Sequence, residues 1–276
     1  MPFALLLLSG CLTQTLSPSW FVDRTRLLAV RAEPAEPRPG DLVSFTSLAV
    51  DPAQDLLIVW TGCVLESSSS FGCDTTDPDA ISLLGVEPLL PPSLQVPVDL
   101  LDDLAEEDRA EGKNYFLTLS ALPGDTDLGA IEELDQDDLL ELGIKRLPVS
   151  ESAQPNTNPD IPHLRIDDLI DVMPGDVLTV QRGQTYSIEP ILSDDAIDEY
   201  DFVTSDGVTE ARVEEPYFTF YATDGSYEVN YSLYPNSAVD WTAPVDPLSD
   251  TLTIWSVVRD RRGGMGWFTL TVEVEG

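Results

Sequence analysis

Closely spaced acidic residues are the pattern in this sequence that comes nearest to a ligand site. They form two groups, one of Asp74, Asp77 and Asp79 and one of Asp194, Asp195, Asp198, Glu199 and Asp201. A calcium ion takes about six to eight oxygen ligands, and aspartates on a bent loop supply several of them. No segment matches the dedicated calcium loop, and a chain with 50 acidic residues forms clusters by chance. We expect solvated surface and no cofactor, with calcium at Asp194, Asp195, Asp198 and Asp201 as the alternative.

Catalytic groups other than carboxylates are scarce. His163 is the sole histidine and no Ser or Cys motif accompanies it, which disfavours a catalytic triad and the usual zinc sites. Paired carboxylates hydrolyse glycosides, but in so acidic a sequence any pair is uninformative. We therefore expect no enzyme. A carboxylate-dependent hydrolase is the alternative, and it requires an apolar-walled cleft that holds paired acids with shifted pKa values.

The net charge excludes one class of partner. Fifty Asp and Glu residues oppose 14 Lys and Arg residues, which gives a formal charge of −36 at pH 7. A surface this negative repels phosphate backbones, so we expect no nucleic-acid partner. The same repulsion favours a monomer. Hydrophobic residues make up 42% of the chain, which is enough for packed cores.

The first eleven residues carry a motif of their own. An apolar run at residues 3–8 is followed by Ser9, Gly10 and Cys11. The string Leu8-Ser9-Gly10-Cys11 resembles the lipobox of bacterial lipoproteins, although no basic residue precedes the run. The resemblance implies that residues 1–10 are a signal peptide, that Cys11 receives lipid on its sulfur and its new amino group, and that residues 11–26 form a lipidated tether.

The same resemblance predicts a location. Leu12 follows the cysteine, whereas an aspartate there is the usual signal for retention in the inner membrane. We therefore expect a lipid anchor in the outer membrane of the cell envelope, with an envelope protein or a glycan as a further partner. No later segment reaches the roughly 18 apolar residues of a membrane-spanning helix.

The two remaining cysteines are expected to pair. Once Cys11 is assigned to lipid, Cys63 and Cys73 are left, separated by nine residues that include four serines. An exported chain folds in an oxidising compartment, where such a pair forms a disulfide that stabilises the fold by roughly 2–3 kcal/mol. A metal site is the alternative, and the lack of histidine partners disfavours it.

Short strands separated by Pro, Gly and Asp predict a β-sandwich over residues 27–149. The strands at 27–33, 42–49 and 56–63 resemble strands A, B and C of bacterial immunoglobulin-like domains, with Trp60 at a core position. Further strands are expected at 115–121 and 144–149. Acidic helices are expected as insertions at 99–111 and 131–142.

A second sandwich is predicted over residues 163–276, after a proline- and amide-rich linker at 150–162. Its last strand alternates apolar residues from Phe268 to Val274 with polar ones. The preceding strand at 251–258 and the turn Asp260-Arg261-Arg262-Gly263-Gly264 make the pair resemble the last hairpin of polycystic-kidney-disease-type (PKD) and cadherin-like sandwiches.

An aromatic cluster and a basic cluster are both expected to have structural rather than ligand-binding roles. Eight aromatic residues lie in the segment from Tyr217 to Trp241. The two-residue spacing of Phe218 and Phe220 indicates a half-buried strand. Core packing is therefore favoured over sugar stacking. The basic cluster of Arg259, Arg261 and Arg262 is expected to form ion pairs with nearby acids rather than an anion site.

The sequence thus predicts an all-β protein of two tandem immunoglobulin-like β-sandwiches with short acidic helical insertions in the first. We expect a noncatalytic cell-envelope lipoprotein that serves as a structural or protein-interaction module. A calcium- or carbohydrate-binding surface module and a carboxylate-dependent envelope hydrolase are the alternatives.

Overall fold

The computed structural model describes residues 17–65, 72–73, 81–129, 139–203 and 208–276. Within them the protein is all-β and forms two β-sandwiches in tandem, as predicted. Cys11, the predicted signal peptide and the acidic group at Asp74, Asp77 and Asp79 lie outside the described residues. In the described part of the chain no helix is long and apolar enough to cross a membrane.

Over its described residues the first domain has seven strands in two antiparallel sheets. They are β1 Arg26–Glu33, β2 Leu42–Val50, β3 Leu56–Val64, β4 Ser82–Glu87, β5 Ser93–Gln95, β6 Lys113–Pro123 and β7 Glu141–Val149. One sheet has the order β1-β2-β5 and the other β4-β3-β6-β7. This division of three and four strands is that of an immunoglobulin-like sandwich. Trp60 is fully buried between the sheets, with its ring stacked on Phe45 at 5.3 Å, which confirms its core assignment.

The predicted helix at 99–111 is wrong. The segment folds as successive turns, and only Glu106–Asp108 forms a short 3-10 helix. Ala105 is extended, with ψ at 152°, and interrupts the segment. Like charges three and four residues apart repel one another along a helix, so the acidic run of this segment works against one. The two leucines that head the segment, Leu100 and Leu101, are buried in the core.

The second predicted helix, at 131–142, lies largely outside the described residues. Its end is described and is not helical, because β7 begins at Glu141 and Leu142 pairs with Ser120 of β6. The predicted strand at 144–149 is therefore present and three residues longer at its start.

Over residues 163–203 and 208–276 the second domain has two five-stranded sheets and one separate pair of strands. Its strands are β8 His163–Ile166, β9 Ile170–Val172, β10 Val177–Gln181, β11 Thr185–Ile191, β12 Glu199–Val203, β13 Thr209–Val213, β14 Tyr217–Ala222, β15 Ser226–Tyr227, β16 Tyr231–Leu233, β17 Val239–Thr242, β18 Thr251–Arg259 and β19 Met265–Glu275. The sheets have the orders β10-β19-β18-β14-β16 and β15-β17-β11-β8-β9, and β12 pairs with β13 alone. Strand β10 runs parallel to β19, and the other pairs are antiparallel.

The aromatic cluster divides between core and surface. Phe218, Phe220 and Trp241 are fully buried, which confirms the core interpretation for them. Tyr231 and Tyr234, by contrast, are 60% and 45% exposed. Core packing was therefore the wrong expectation for these two tyrosines, because they lie on and beside β16, a strand at the sheet edge.

The two sandwiches pack against each other through an apolar cluster of their own. Leu28 and Ala29 of β1 are buried against Trp255 and Val257 of β18. Val22 completes this cluster, because residues 20–22 run alongside β14. The described part of the predicted tether is therefore docked on the second domain rather than free.

Candidate binding site at the junction of the two domains

A buried aspartate organises the turn between β18 and β19. Oδ1 of Asp260 accepts hydrogen bonds from the backbone N–H groups of Arg262, Gly263 and Gly264, at 2.7, 2.9 and 2.9 Å. These bonds hold a turn in which Arg261 and Gly263 adopt positive φ angles of 72° and 120°. Burial raises the pKa of Asp260 even though these hydrogen bonds act in the opposite direction.

The predicted linker is clamped onto this turn. Nδ2 of Asn156 donates to Oδ2 of Asp260 at 2.8 Å, and the backbone N–H of Met265 donates to Oδ1 of Asn158 at 3.0 Å. Nδ2 of Asn158 also donates to the carbonyl of Ala32 in the first domain, at 2.6 Å. A side chain on Gly266 would overlap the carbonyl oxygen of Pro159, so glycine is required where the linker crosses β19. The linker therefore fixes the two domains to each other.

Arg262 extends this polar junction across both domains. Its guanidinium contacts Oε1 of Glu214 in the second domain at 3.0 Å and Oε2 of Glu36 in the first at 3.4 Å. It also donates to the carbonyl of Gln154 in the linker at 3.1 Å and lies over the ring of Tyr200. All three charged side chains are largely buried, so the arginine neutralises two carboxylates that have little contact with water.

The interpretation of the basic cluster as ion-paired is confirmed for two of its three members. Arg262 pairs as described, and Arg261 lies 3.5 Å from Glu215 at the surface. Arg259 differs, because it donates to the carbonyl of Leu28 at 2.7 Å and to the hydroxyl of Thr219 at 3.2 Å. It therefore connects β1 and β14 through neutral oxygen atoms.

Two further ionisable groups at the junction have shifted pKa values. Burial raises the pKa of Glu214, which accepts from the backbone of Asp198 at 3.1 Å. Burial lowers the pKa of Lys145 to about 8, with nearby Arg259 acting in the same direction. Nζ of Lys145 donates to the carbonyl of Gly263, so this lysine of the first domain also contacts the turn of the second.

An open cleft lies along another part of the boundary between the domains. It has a volume of about 780 Å³ and is walled by β2, the start of β3, a proline-rich loop after β4, and residues of the second domain. The apolar walls include Trp255, Pro88, Pro91 and Pro92. Concave, mostly apolar surfaces of this size at a domain boundary are typical ligand sites.

Carboxylates supply the charge of this cleft. Glu87 is held by Nε1 of Trp60 at 3.2 Å, by the backbone N–H of Ser47 at 3.3 Å and by the hydroxyl of Ser47. Burial raises the pKa of Asp51, but hydrogen bonds from Thr25, Ala53 and Gln54 outweigh it, so the pKa lies below its ordinary value. Asp51 is therefore ionised at neutral pH.

These shifts bear on the hydrolase alternative. Among the described acidic groups, those whose pKa is raised are Glu214 and Asp260, and both are enclosed in the polar junction. The cleft acid with a shifted pKa, Asp51, is shifted in the other direction. The geometry does not bring paired acids with raised pKa values to an open cleft.

The predicted calcium residues are not brought together. Asp194 and Asp195 are exposed, whereas Asp198 accepts from the hydroxyl of Thr157 at 3.2 Å and Asp201 donates its backbone N–H to Gln154. Across the described ranges no three Asp, Glu, His or Cys side chains are grouped to hold a metal ion. Calcium binding at these residues gains no support from their placement and stays the untested alternative to solvated surface.

The predicted disulfide is confirmed. Cys63 and Cys73 are bonded, with their Cα atoms 5.7 Å apart. Cys63 is buried beside Leu65 and Phe116, and Cys73 packs against the same cluster. The bond therefore fastens the end of β3 to the loop that follows it.

Sequence reasoning named Asp260 and Arg262 but missed the residues that meet them at the junction. Asn156 and Asn158 stand two positions apart in an extended segment, and Gly264 and Gly266 have the same spacing in the segment that packs against it. This alternation is a signal of two backbones in close contact. Glu36 and Glu87 carry no such signal, because the acids around them look alike in the sequence.

Comparisons with known proteins give similarity of fold only. No protein-family model matches the sequence, and no curated protein matches it. The two tandem V-type regions of VCBP3, a v-region-containing chitin-binding protein, are 11% identical, with 90% of this chain and 100% of that chain covered and a TM-score of 0.32. The tandem immunoglobulin repeats of Dlar are 13% identical, with 92% and 98% covered and a TM-score of 0.28.

A third solved structure matches over a shorter region. It is a nucleoside hydrolase-related hypothetical protein from Saccharophagus degradans associated with carbohydrate metabolism, 16% identical, with a TM-score of 0.27. The match covers 44% of this chain and only 26% of that one. Scores this low carry no argument about function.

Proposed function

We propose that this chain is a noncatalytic lipoprotein of the cell envelope that acts as a structural or protein-interaction module. The observation that carries the proposal is the junction, where two sandwiches are locked together by the linker and Arg262 and leave an acidic cleft at their boundary. A rigid pair of domains presents such a cleft in one fixed shape, which reduces the entropic cost of binding a partner.

The anchoring part of the proposal depends on the Leu8-Ser9-Gly10-Cys11 motif. Cleavage before Cys11 would expose its amino group, and acyl chains on the sulfur and the nitrogen would together hold the chain in a bilayer. Several chains are needed because a single chain binds a membrane only marginally. Leu12 favours the outer membrane over retention at the inner one. The charge of −36 disfavours self-association, which supports a monomer.

Mass spectrometry of the mature chain tests the anchor. We expect a polypeptide that begins at Cys11 and carries diacylglycerol and an acyl group, and that fractionates with the outer membrane. The Cys11→Ser variant should lose the lipid and leave the membrane fraction, whereas the matched Ser9→Ala variant should keep both. A mature chain with its leader intact and no fatty acid would overturn the proposal.

A carbohydrate-binding surface is the second candidate, and the exposed tyrosines favour it. Tyr231 and Tyr234 present their rings on and beside β16, an edge strand of the second domain. Exposed aromatic rings offer flat faces on which sugar rings stack. Binding to an array of glycans, lost in the Tyr231→Ala variant and kept in Tyr186→Phe, would support this candidate; no binding to the array would remove it.

A further inference from the structure

We propose that the cleft between the domains binds an extended basic segment of a polypeptide partner, which adds as a strand to the free edge of β2. The inference rests on the proposed function as an interaction module and names the chemistry of the partner. Three features of the described residues support this binding mode: the shape of the cleft, an unpaired strand edge inside the cleft and a single sign of charge on the walls of the cleft.

The cleft has room for several residues of a peptide. Its volume of about 780 Å³ lies in the range of sites that enclose most of a drug-sized ligand. Its walls belong to different parts of the fold: Ala49 and Val50 to β2, Leu56 to β3, Pro91 to the loop after β4, and Trp255 to the second domain. Because the junction fixes the second domain against the first, the cleft does not have to form when the partner arrives.

The edge of β2 inside the cleft is free of a strand partner. Strand β5 pairs only with residues 42–44, and the backbone N–H of Phe45 donates to the carbonyl of Pro92 at 3.0 Å. Past Phe45, no strand of the described chain pairs with this edge of β2, while β1 covers the opposite edge up to Val50. Residues 45, 47, 49 and 50 line the cleft.

Glu87 occupies one position along this edge in place of a strand. Its Oε1 accepts the backbone N–H of Ser47 at 3.3 Å, a longer contact than most N–H to oxygen bonds. A carbonyl from an added strand can replace it at this position. Only a polypeptide backbone repeats donors and acceptors with the spacing of a strand edge, so this edge selects for an extended peptide.

The charge of the walls selects the side chains of that peptide. Asp51, Asp55 and Glu87 line the cleft, and among its described lining residues none is lysine, arginine or histidine. Lysine or arginine side chains on the added strand would face these carboxylates. The field of a protein with a charge of −36 would also speed the approach of a basic segment.

Fluorescence anisotropy with the purified full chain and defined peptides tests the inference. The probe is a labelled peptide of about ten residues that alternates Lys and Val. A second probe has the same sequence with alternate backbone nitrogens methylated, which removes strand hydrogen bonds and keeps the charge. A third probe alternates Thr and Val, which keeps the strand and removes the charge. We expect the first probe to bind and each of the other two to bind about tenfold more weakly or worse.

A pair of variants distinguishes binding in the cleft from attraction by the overall negative charge of the protein. Asp55→Lys changes an exposed cleft residue, and Glu107→Lys makes the same charge change at an exposed residue of the short 3-10 helix, outside the lining of the cleft. Asp55→Lys should weaken binding of the Lys–Val probe about tenfold, and Glu107→Lys should change it less than about twofold. Thermal unfolding of both variants confirms that each is folded.

Each contrary outcome overturns the inference in a distinct way. Equal losses in the two variants would show attraction by net charge alone. Equal binding of the methylated probe would show recognition of amines without strand addition. Equal binding of the Thr–Val probe would show an apolar groove that ignores charge, and no binding of any probe would show that the cleft has another use. A chain that lacks lipid on Cys11 yet binds the probe would overturn the anchor and leave this inference standing.

Discussion

Nδ2 of Asn156 donates a hydrogen bond of 2.8 Å to Oδ2 of Asp260, and both side chains are buried although they stand 104 residues apart. Asp260 shapes its own turn with Oδ1 and holds the linker with Oδ2. One carboxylate thus connects the last hairpin of the second domain with the segment that leads into it. The linker reaches the first domain through the neighbouring contacts of Asn156 with Glu36 and of Asn158 with Ala32.

The Asp260→Asn variant tests that contact. Oδ1 of the new asparagine can keep the three backbone hydrogen bonds of the turn, but its amide group would face the amide of Asn156, donor against donor. We expect a loss of about 1–3 kcal/mol in the free energy of unfolding, because a buried donor is left without an acceptor. Urea unfolding at pH 7 measures it.

The exchanged pair is the matched control. In the double variant Asn156→Asp with Asp260→Asn, the donor and the acceptor change places and the net charge is unchanged. We expect the double variant to recover most of the stability that Asp260→Asn loses. Additive losses in the double variant would show that the two side chains do not interact as described.

Removing Arg262 should damage the junction strongly. The Arg262→Met variant leaves Glu36 and Glu214 buried without their cation, and breaking a buried ion pair on one side costs about 3–5 kcal/mol. Arg261→Met is the control, because its pair with Glu215 is exposed and should cost less than about 1 kcal/mol. Thermal unfolding measures the stability of both variants. Losses of stability of equal size would contradict the assigned role of Arg262.

Lys145 should make the stability depend on pH in the alkaline range. Its pKa is lowered by burial to about 8 in the folded protein, from an ordinary value of 10.5, so the unfolded chain binds the proton more tightly. Stability should therefore rise as the pH increases from about 8 to about 10.5, by an amount on the order of 3 kcal/mol.

The Lys145→Met variant isolates this effect. With no proton to bind at that position, its stability should lack the rise that the unchanged protein shows between pH 8 and 10.5. Urea unfolding at several pH values gives both curves. Parallel curves for the two proteins would show that another group is responsible.

Calcium should not bind specifically at the four aspartates from Asp194 to Asp201. Asp194, Asp195, Asp198 and Asp201 are not grouped into a set of ligands in the described part of the chain, so we expect these four residues to form no calcium site that calorimetry detects at millimolar concentration. Magnesium at the same concentration is the control, because any divalent cation screens a charge of −36. A rise in melting temperature with calcium that magnesium does not reproduce would contradict this expectation.

The strands and the core were predictable because their signal is local. The alternation from Phe268 to Val274 reappears as buried and exposed faces of β19, and Trp60 is buried where the strand pattern places it. The helix at 99–111 is a false prediction. A capping residue and one apolar face favour a helix there, but repulsion among the acidic side chains opposes it.

The junction was not predictable in the same way. The residues at 150–162 have the composition of a free linker, and that composition says nothing about Gly264 and Gly266 more than 100 residues later. Which of 50 acids meets Arg262 depends on the tertiary arrangement alone. A cleft between two domains likewise exists only once both have folded and docked.

The docking of residues 20–22 sets a stand-off distance for the proposed anchor. The N–H of Val22 donates to the carbonyl of Ala222 at 2.9 Å, and the ring of Trp20 lies 5.6 Å from that of Tyr227. Cys11 precedes Trp20 by nine residues, which span at most about 30 Å. An acylated Cys11 would therefore keep Trp20, and the part of the second domain on which it is docked, within about 30 Å of the lipid headgroups.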